Sequence, residues 1–223
     1  MALATLLVPN LVMKVRVLPA SRRSLIDWSA FREAPYMLFL VGGFLGFMGL
    51  YTPFFYVQSY SIGEHITNEK LGFYLLSILN SASVFGRILP NFIADKSGPM
   101  NIIIPCGLIS GILTICLIPV HNIGGIIVFC LLYGFFSGSF VSLPPTILVH
   151  LSPNRGVIGT RMGMCFAFIS IGVLIGTPIA GAILTASNFT YVWVFGGVLT
   201  IIGSLVMGAA RVYKAGWGLT AKV

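Results

Sequence analysis

Charge is scarce in this sequence. Only 8% of its 223 residues are Asp, Glu, Lys or Arg, against about 25% in an ordinary soluble domain. Hydrophobic residues make up 57%, and so few charges cannot cover the surface of a soluble fold that apolar. This excludes a cytosolic enzyme. It also excludes a disordered chain, which needs low hydrophobicity and high charge. Cysteine is sparse too. Cys106, Cys116, Cys130 and Cys165 all lie inside apolar runs, and no C-x-x-C pair occurs. A disulfide-rich secreted module is therefore excluded, and the four read as small packing residues. His65, His121 and His150 have no metal-ligand spacing, and no H-E-x-x-H, phosphate-binding glycine loop or nucleophile constellation is present. The sequence implies no catalytic residue, no metal and no cofactor.

What is present is apolar and long. Mean hydropathy is +0.99. Six runs approach the roughly 20 residues a membrane-crossing helix needs: 36–60, 71–94, 102–120, 124–148, 159–186 and 191–212. They lack the alternation of barrel strands, so the expected class is all-α integral membrane. Pro144-Pro145 must break or kink the fourth run, and Pro90, Pro105 and Pro178 are candidate kinks in others. Gly172 and Gly176 have the small-x-x-x-small spacing of close helix packing.

The basic residues set the topology. The net charge of +8 does not point to nucleic acid, because Lys and Arg flank the apolar runs and form no patch with interleaved aromatics. Eleven of the 13 fall on the side shared by both termini, Lys70 on the other, and Arg87 inside a run. By the positive-inside rule both termini are expected in the cytoplasm. Residues 1–13 are apolar but too short to span, and read as the tail of a truncated helix. The expected organisation is 1–35 helix tail and linker, 36–212 six-helix bundle, and 213–223 cytoplasmic tail. In the linker, Leu25, Trp28 and Phe31 or Arg32 would line one side of a short interfacial helix, with a plain solvated loop as the alternative.

The second run holds most of the polarity. Ser77, Asn80, Ser83, Arg87 and Asn91 fall within an arc of about 120° at helical spacing. Such a stripe should face protein or a water-filled cavity, not lipid. Arg87 is permanently charged and its planar fork suits a carboxylate. The bland alternative is an Arg that snorkels or bonds helix-end carbonyls. Weaker candidates for the same cavity are Tyr51 with Gln58 in the first run, and Tyr133 with Ser137 in the fourth, although packing accounts for such spacing equally well.

The segment G-R-I-L-P-N-F-I-A-D-K-S-G resembles the second-half copy of the major facilitator superfamily loop motif G-x-x-x-D-R/K-x-G. Asp95, Lys96 and Gly98 match it, and Asn91 replaces its first glycine. L-L-S-I-L followed eight residues later by Arg87 resembles the eighth helix of the monocarboxylate transporter family. D-W-S-A-F-R-E-A-P-Y, Y-T-P-F-F-Y-V-Q-S-Y and G-T-R-M-G-M resemble its fungal branch. The resemblance covers nearly the whole chain. It implies the C-terminal six-helix half of a major facilitator fold, with 3+3 inverted repeats. It further implies alternating-access transport of a small organic anion or fungal metabolite, in a plasma membrane, by uptake or efflux. Partners would be the substrate, the bilayer, and a missing N-terminal half or a second copy. Animal members carry an Asp for proton coupling where this chain has Ser83. The competing reading is a non-transporting fragment with at most a binding or regulatory role.

Overall fold

The computed structural model describes residues 26–154 and 156–216. The apolar stretch 1–13, Leu25, Arg155 and the tail from 217 lie outside the described residues. Among the described residues every regular element is helical. A 3-10 turn (Ala30–Arg32) precedes α1 (Ala34–Gly63), α2 (Glu69–Ser97), α3 (Pro99–Cys116), α4 (Ile123–Ser142), α5 (Pro144–Leu151), α6 (Ile158–Ala186) and α7 (Phe189–Ala215). Six of these are long and apolar enough to cross a membrane, with α4 and α5 acting together as one crossing. The described residues thus form six membrane-crossing segments of a multi-pass integral membrane protein.

The helix ends follow from local chemistry. The side chains of Asn68 and Asn122 accept hydrogen bonds from the N–H groups of Leu71 and Gly125, which caps α2 and α4. Pro35, Pro99 and Pro144 sit in the first turns of α1, α3 and α5, where the missing N–H costs nothing. The seven-residue gap expected between the second and third spans contracts to Gly98 alone. Its φ of 95° is open to glycine and strained for other residues. The third span stops at Cys116, short of residue 120, and the chain then turns. Pro144-Pro145 divides the fourth span at Leu143, as expected. Pro90, Pro105 and Pro178 lie inside helices that continue through them.

Among the described residues of the linker a three-residue turn forms, closer to the loop than to the interfacial helix, with Ala30 buried and Trp28 and Phe31 both exposed, their rings 5.9 Å apart.

The helices pack as two interleaved triplets. α1 packs on α6 and α7, α4 on α2 and α3, and α3 on α7. Exchanging α1, α2 and α3 for α4, α6 and α7 maps this set of interfaces onto itself, as 3+3 repeats require. Glycines set the approach distances. A Cβ on Gly86 would lie 1.9 Å from the Phe135 carbonyl oxygen of α4, and one on Gly176 would lie 2.4 Å from the Met48 carbonyl oxygen of α1. Outside this core, Phe73, Phe85, Phe92 and Leu174 are each more than 60% exposed. Such a surface suits lipid and not water.

Candidate functional site

The polar stripe of α2 lies beside the seam that α2 makes with α4. Leu75, Leu79, Ala82, Gly86 and Pro90 fill that seam. Ser77, Asn80 and Arg87 are exposed next to it, Asn91 is half-buried, and Ser83 is buried. The members of the stripe thus differ in access. Asn80 Nδ2 donates to the Leu76 carbonyl (2.9 Å), and Ser83 Oγ donates to the Asn80 carbonyl (2.7 Å). Asn91 Nδ2 bridges to α4, donating to Ser142 Oγ at 3.2 Å as well as to the Arg87 carbonyl. Arg87 differs from them. Among the described residues its guanidinium has no hydrogen bond or ion pair. It stands ten residues, about 15 Å, from the Ser97 end of α2. A charge at that depth is expensive beside lipid and tolerable beside water or a counter-ion.

A second exposed wall belongs to α1 and α6. Tyr51 is half-buried in an aromatic row with Phe47 (6.3 Å), Phe54 (5.6 Å) and Phe55 (6.3 Å). It lines a cavity of about 480 Å³ with Phe47, Val141, Phe166 and Ser170. Gln58 is half-buried farther along α1.

Tyr133 and Ser137 are not on an open wall. Both are fully buried. Tyr133 stacks on Phe129 at 5.2 Å and its hydroxyl donates to the Leu50 carbonyl of α1, while Ser137 Oγ donates to the Gly134 carbonyl. The helix face that carries them is the α4–α1 contact, where Phe140 also packs on Phe47 at 5.3 Å. Their hydroxyls satisfy backbone groups and do not open to a cavity.

The loop motif divides by role. Gly98 makes the turn, and its N–H bonds the Ala94 carbonyl at 2.8 Å. Asp95 and Lys96 are exposed at the end of α2. An acidic side chain there would be favoured by the α3 N-terminus, but α3 has no side-chain cap bond.

Sequence reasoning missed a charge cluster at the same end of the bundle. Arg161, in the first turn of α6, is fully buried. Its Nε donates to Asp27 Oδ2 at 2.9 Å, and its two terminal nitrogens grip Glu33 at 2.8 and 2.6 Å in a bidentate fork. The Leu151 carbonyl and Ser29 Oγ complete the set at 3.3 and 3.4 Å. The Tyr36 ring lies 5.6 Å from the guanidinium carbon, and the Tyr36 hydroxyl donates to the Arg161 carbonyl at 3.0 Å. Asp27 is held below the usual carboxylate range by its hydrogen bond from Ser29 and then by Arg161, and Glu33 by its hydrogen bonds from Arg161. The signal was available in composition. Two of only five acidic residues stand six apart just before a span.

Comparison with known proteins agrees with this architecture. The Major Facilitator Superfamily model matches residues 1–158 and again 92–216. The MFS-type transporter dbaD of Emericella nidulans is 47% identical over 209 residues, covering 92% of this chain and 47% of that protein. The Agnestins efflux protein AgnL12 of Paecilomyces divaricatus is 40% identical over 199 residues, covering 88% and 45%. The Aspyridones efflux protein apdF of Emericella nidulans is 37% identical over 203 residues, covering 90% and 42%. The chain spans about half the length of the curated relatives it matches.

Proposed function

The chain belongs to the Major Facilitator Superfamily, and from that premise we propose that it forms the C-terminal half of a carrier for a small organic anion or secondary metabolite. The observation that carries this reading is Arg87, a permanent charge exposed on a membrane-crossing helix with no partner among the described residues. An anionic group of the substrate, bound by the guanidinium fork, would supply the missing counter-charge. Asn80 and Asn91 flank it, and Tyr51 and Gln58 contribute from α1. Ser83, Tyr133 and Ser137 support this wall from behind. A facing six-helix half, from a longer chain or a second copy, would close the cavity, and rocking between the halves would alternate its access.

The monocarboxylate-like, fungal-branch assignment extends the same reading, and the efflux names of two relatives favour export of a metabolite. We place both termini in the cytoplasm and the protein in the plasma membrane, with 1–35 as linker, 36–212 as bundle and 213–223 as tail. Asp95 and Lys96 would act in the conformational change and not in binding.

Transport by vesicles containing the carrier tests this. Arg87→Lys keeps the charge but loses the planar fork, and should lower saturable organic-anion transport at least tenfold. Arg87→Ala should abolish it at unchanged membrane abundance. Normal kinetics in the alanine variant would reduce Arg87 to a structural residue.

A further inference from the structure

Tyr36, Tyr56, Tyr60 and Tyr133 each donate a hydroxyl hydrogen bond to a distant backbone carbonyl. Tyr51 does not. It is half-buried, yet its hydroxyl has no hydrogen bond among the described residues. It lines the cavity of about 480 Å³ between α1, α4 and α6. Phe47 and Tyr51 stand one turn apart on α1, and Phe166, Ser170 and Leu174 recur every fourth residue along one face of α6. Phe166 is 39% exposed and Leu174 74%, so the rest of the bundle leaves that face open. Ser170 Oγ donates within its own helix, to the Ala167 carbonyl. Among the described residues no charged side chain lines the cavity.

The cavity adjoins the polar stripe of α2. Val141 lines it, and the next residue, Ser142, accepts the hydrogen bond of Asn91 Nδ2 at 3.2 Å. Asn91 is one turn from Arg87. Depth agrees with this. Arg87 lies about 15 Å from the Ser97 end of α2, while Phe166 and Leu174 lie about 12 and 24 Å from the Ile158 start of α6, at the same end of the bundle. The volume falls in the range of about 300–1,000 Å³ that buries a drug-sized molecule, and an acid of two or three carbons would leave most of it empty.

We propose that the anion carried here has an apolar, ring-bearing body, which seats on Phe47, Tyr51 and Phe166 while its charged group is held at Arg87. With Arg87 as the anion site, a reading on which this one rests, the substrate is an aromatic carboxylate or similar ring-bearing anion and not a short aliphatic acid. Aromatic side chains from two helices offer such a ring offset or edge-to-face contacts. A phenol or carbonyl oxygen on the ring would take up the free Tyr51 hydroxyl.

Protection of a thiol tests this in the purified carrier in lipid nanodiscs. Ser170→Cys is combined with Cys116→Ser, which removes the exposed native cysteine. Its modification by a hydrophilic cationic thiol reagent is timed in the presence of 2-naphthoate, 2-naphthamide or propionate. Half protection should need about thirtyfold less 2-naphthoate than propionate, because the rings bury apolar area. The uncharged 2-naphthamide should need about tenfold more than 2-naphthoate. Phe166→Ala, at an exposed position, should raise the 2-naphthoate requirement about fivefold. Equal or absent protection by 2-naphthoate and propionate, with saturable transport still dependent on Arg87, overturns the ring-bearing body and leaves the reading of Arg87 standing. Protection by 2-naphthoate that 2-naphthamide matches and that Arg87→Gln leaves unchanged overturns both. A thiol at position 170 that does not react without ligand, because lipid or a facing helix covers the groove, also overturns the proposal.

Discussion

Ser83 shows how one turn of helix changes a side chain's role. It stands four residues before Arg87, the spacing at which a carboxylate would pair with the guanidinium. A hydroxyl there neither takes up nor releases a proton near neutral pH. The structure adds that Ser83 is buried against α4, where a Cβ on Gly138 would lie 3.1 Å from Ser83 Cβ. Its Oγ bonds only within its own helix. Ser83→Ala should therefore cost about 1 kcal/mol or less and leave the pH dependence of transport unchanged. Ser83→Asp should lower the thermal midpoint in detergent by more, because the carboxylate is forced into a tight seam. Loss of proton-driven accumulation in Ser83→Ala would assign the serine a place in a proton path. At this scale the sequence was partly legible. Spacing put Ser77, Asn80, Ser83, Arg87 and Asn91 on one arc, but not which of them a neighbouring helix would cover. Tyr133 and Ser137, on one face by spacing, are fully buried for the same reason: periodicity gives a face, and only packing tells what lies against it.

At the scale of the helix, the spans were legible because the bilayer demands about 20 apolar residues whatever the neighbours. Their junctions were less so. The single-residue turn at Gly98 was concealed by polar residues, Asp95 to Ser97, that proved to be the last turn of α2. The Pro144 break was plain from chemistry, since proline lacks a donor. Helix pairing depends on glycine. Gly86 faces the Phe135 backbone so closely that a methyl at 1.9 Å cannot fit without separating α2 from α4. Gly86→Val should reduce the folded yield severalfold and lower the detergent melting temperature by several degrees. Gly208→Val, with open space above it, should do neither. Equal behaviour of the two variants in size-exclusion and melting assays would refute the assigned seam.

For the whole molecule, the Asp27–Arg161–Glu33 cluster ties the segment before α1 to the start of α6. The contact bridges 134 and 128 residues of chain, a distance no local pattern encodes. Both carboxylates are held below their ordinary range. Their contribution to stability is complete above that range, at about pH 4–5, and is lost as pH falls through the lower values of the folded state. Thermal melts from pH 7 to pH 3 should show a steep acid decline in the wild type. Arg161→Ala removes the buried guanidinium and leaves two partly exposed carboxylates that water can solvate, and should cost about 1.5–3 kcal/mol at neutral pH. Because Glu33 then loses the bonds that favour its ionised form, while Asp27 keeps those from Ser29, its acid decline should be shallower. Parallel declines in the two proteins would show that the cluster is not the acid-sensitive element.

The central claim is that Arg87 faces a water-filled cavity and not lipid or packed protein. Cysteine accessibility tests it without knowledge of the substrate. Cys116 is the exposed native cysteine and is replaced by serine first. Arg87→Cys is then treated with a membrane-impermeant, cationic thiol reagent, with Phe85→Cys on the apolar face of α2 as the comparison. Only an ionised, hydrated thiol reacts readily. The account predicts modification at position 87 and little at position 85. Failure to modify position 87, or equal rates at both positions, would contradict it.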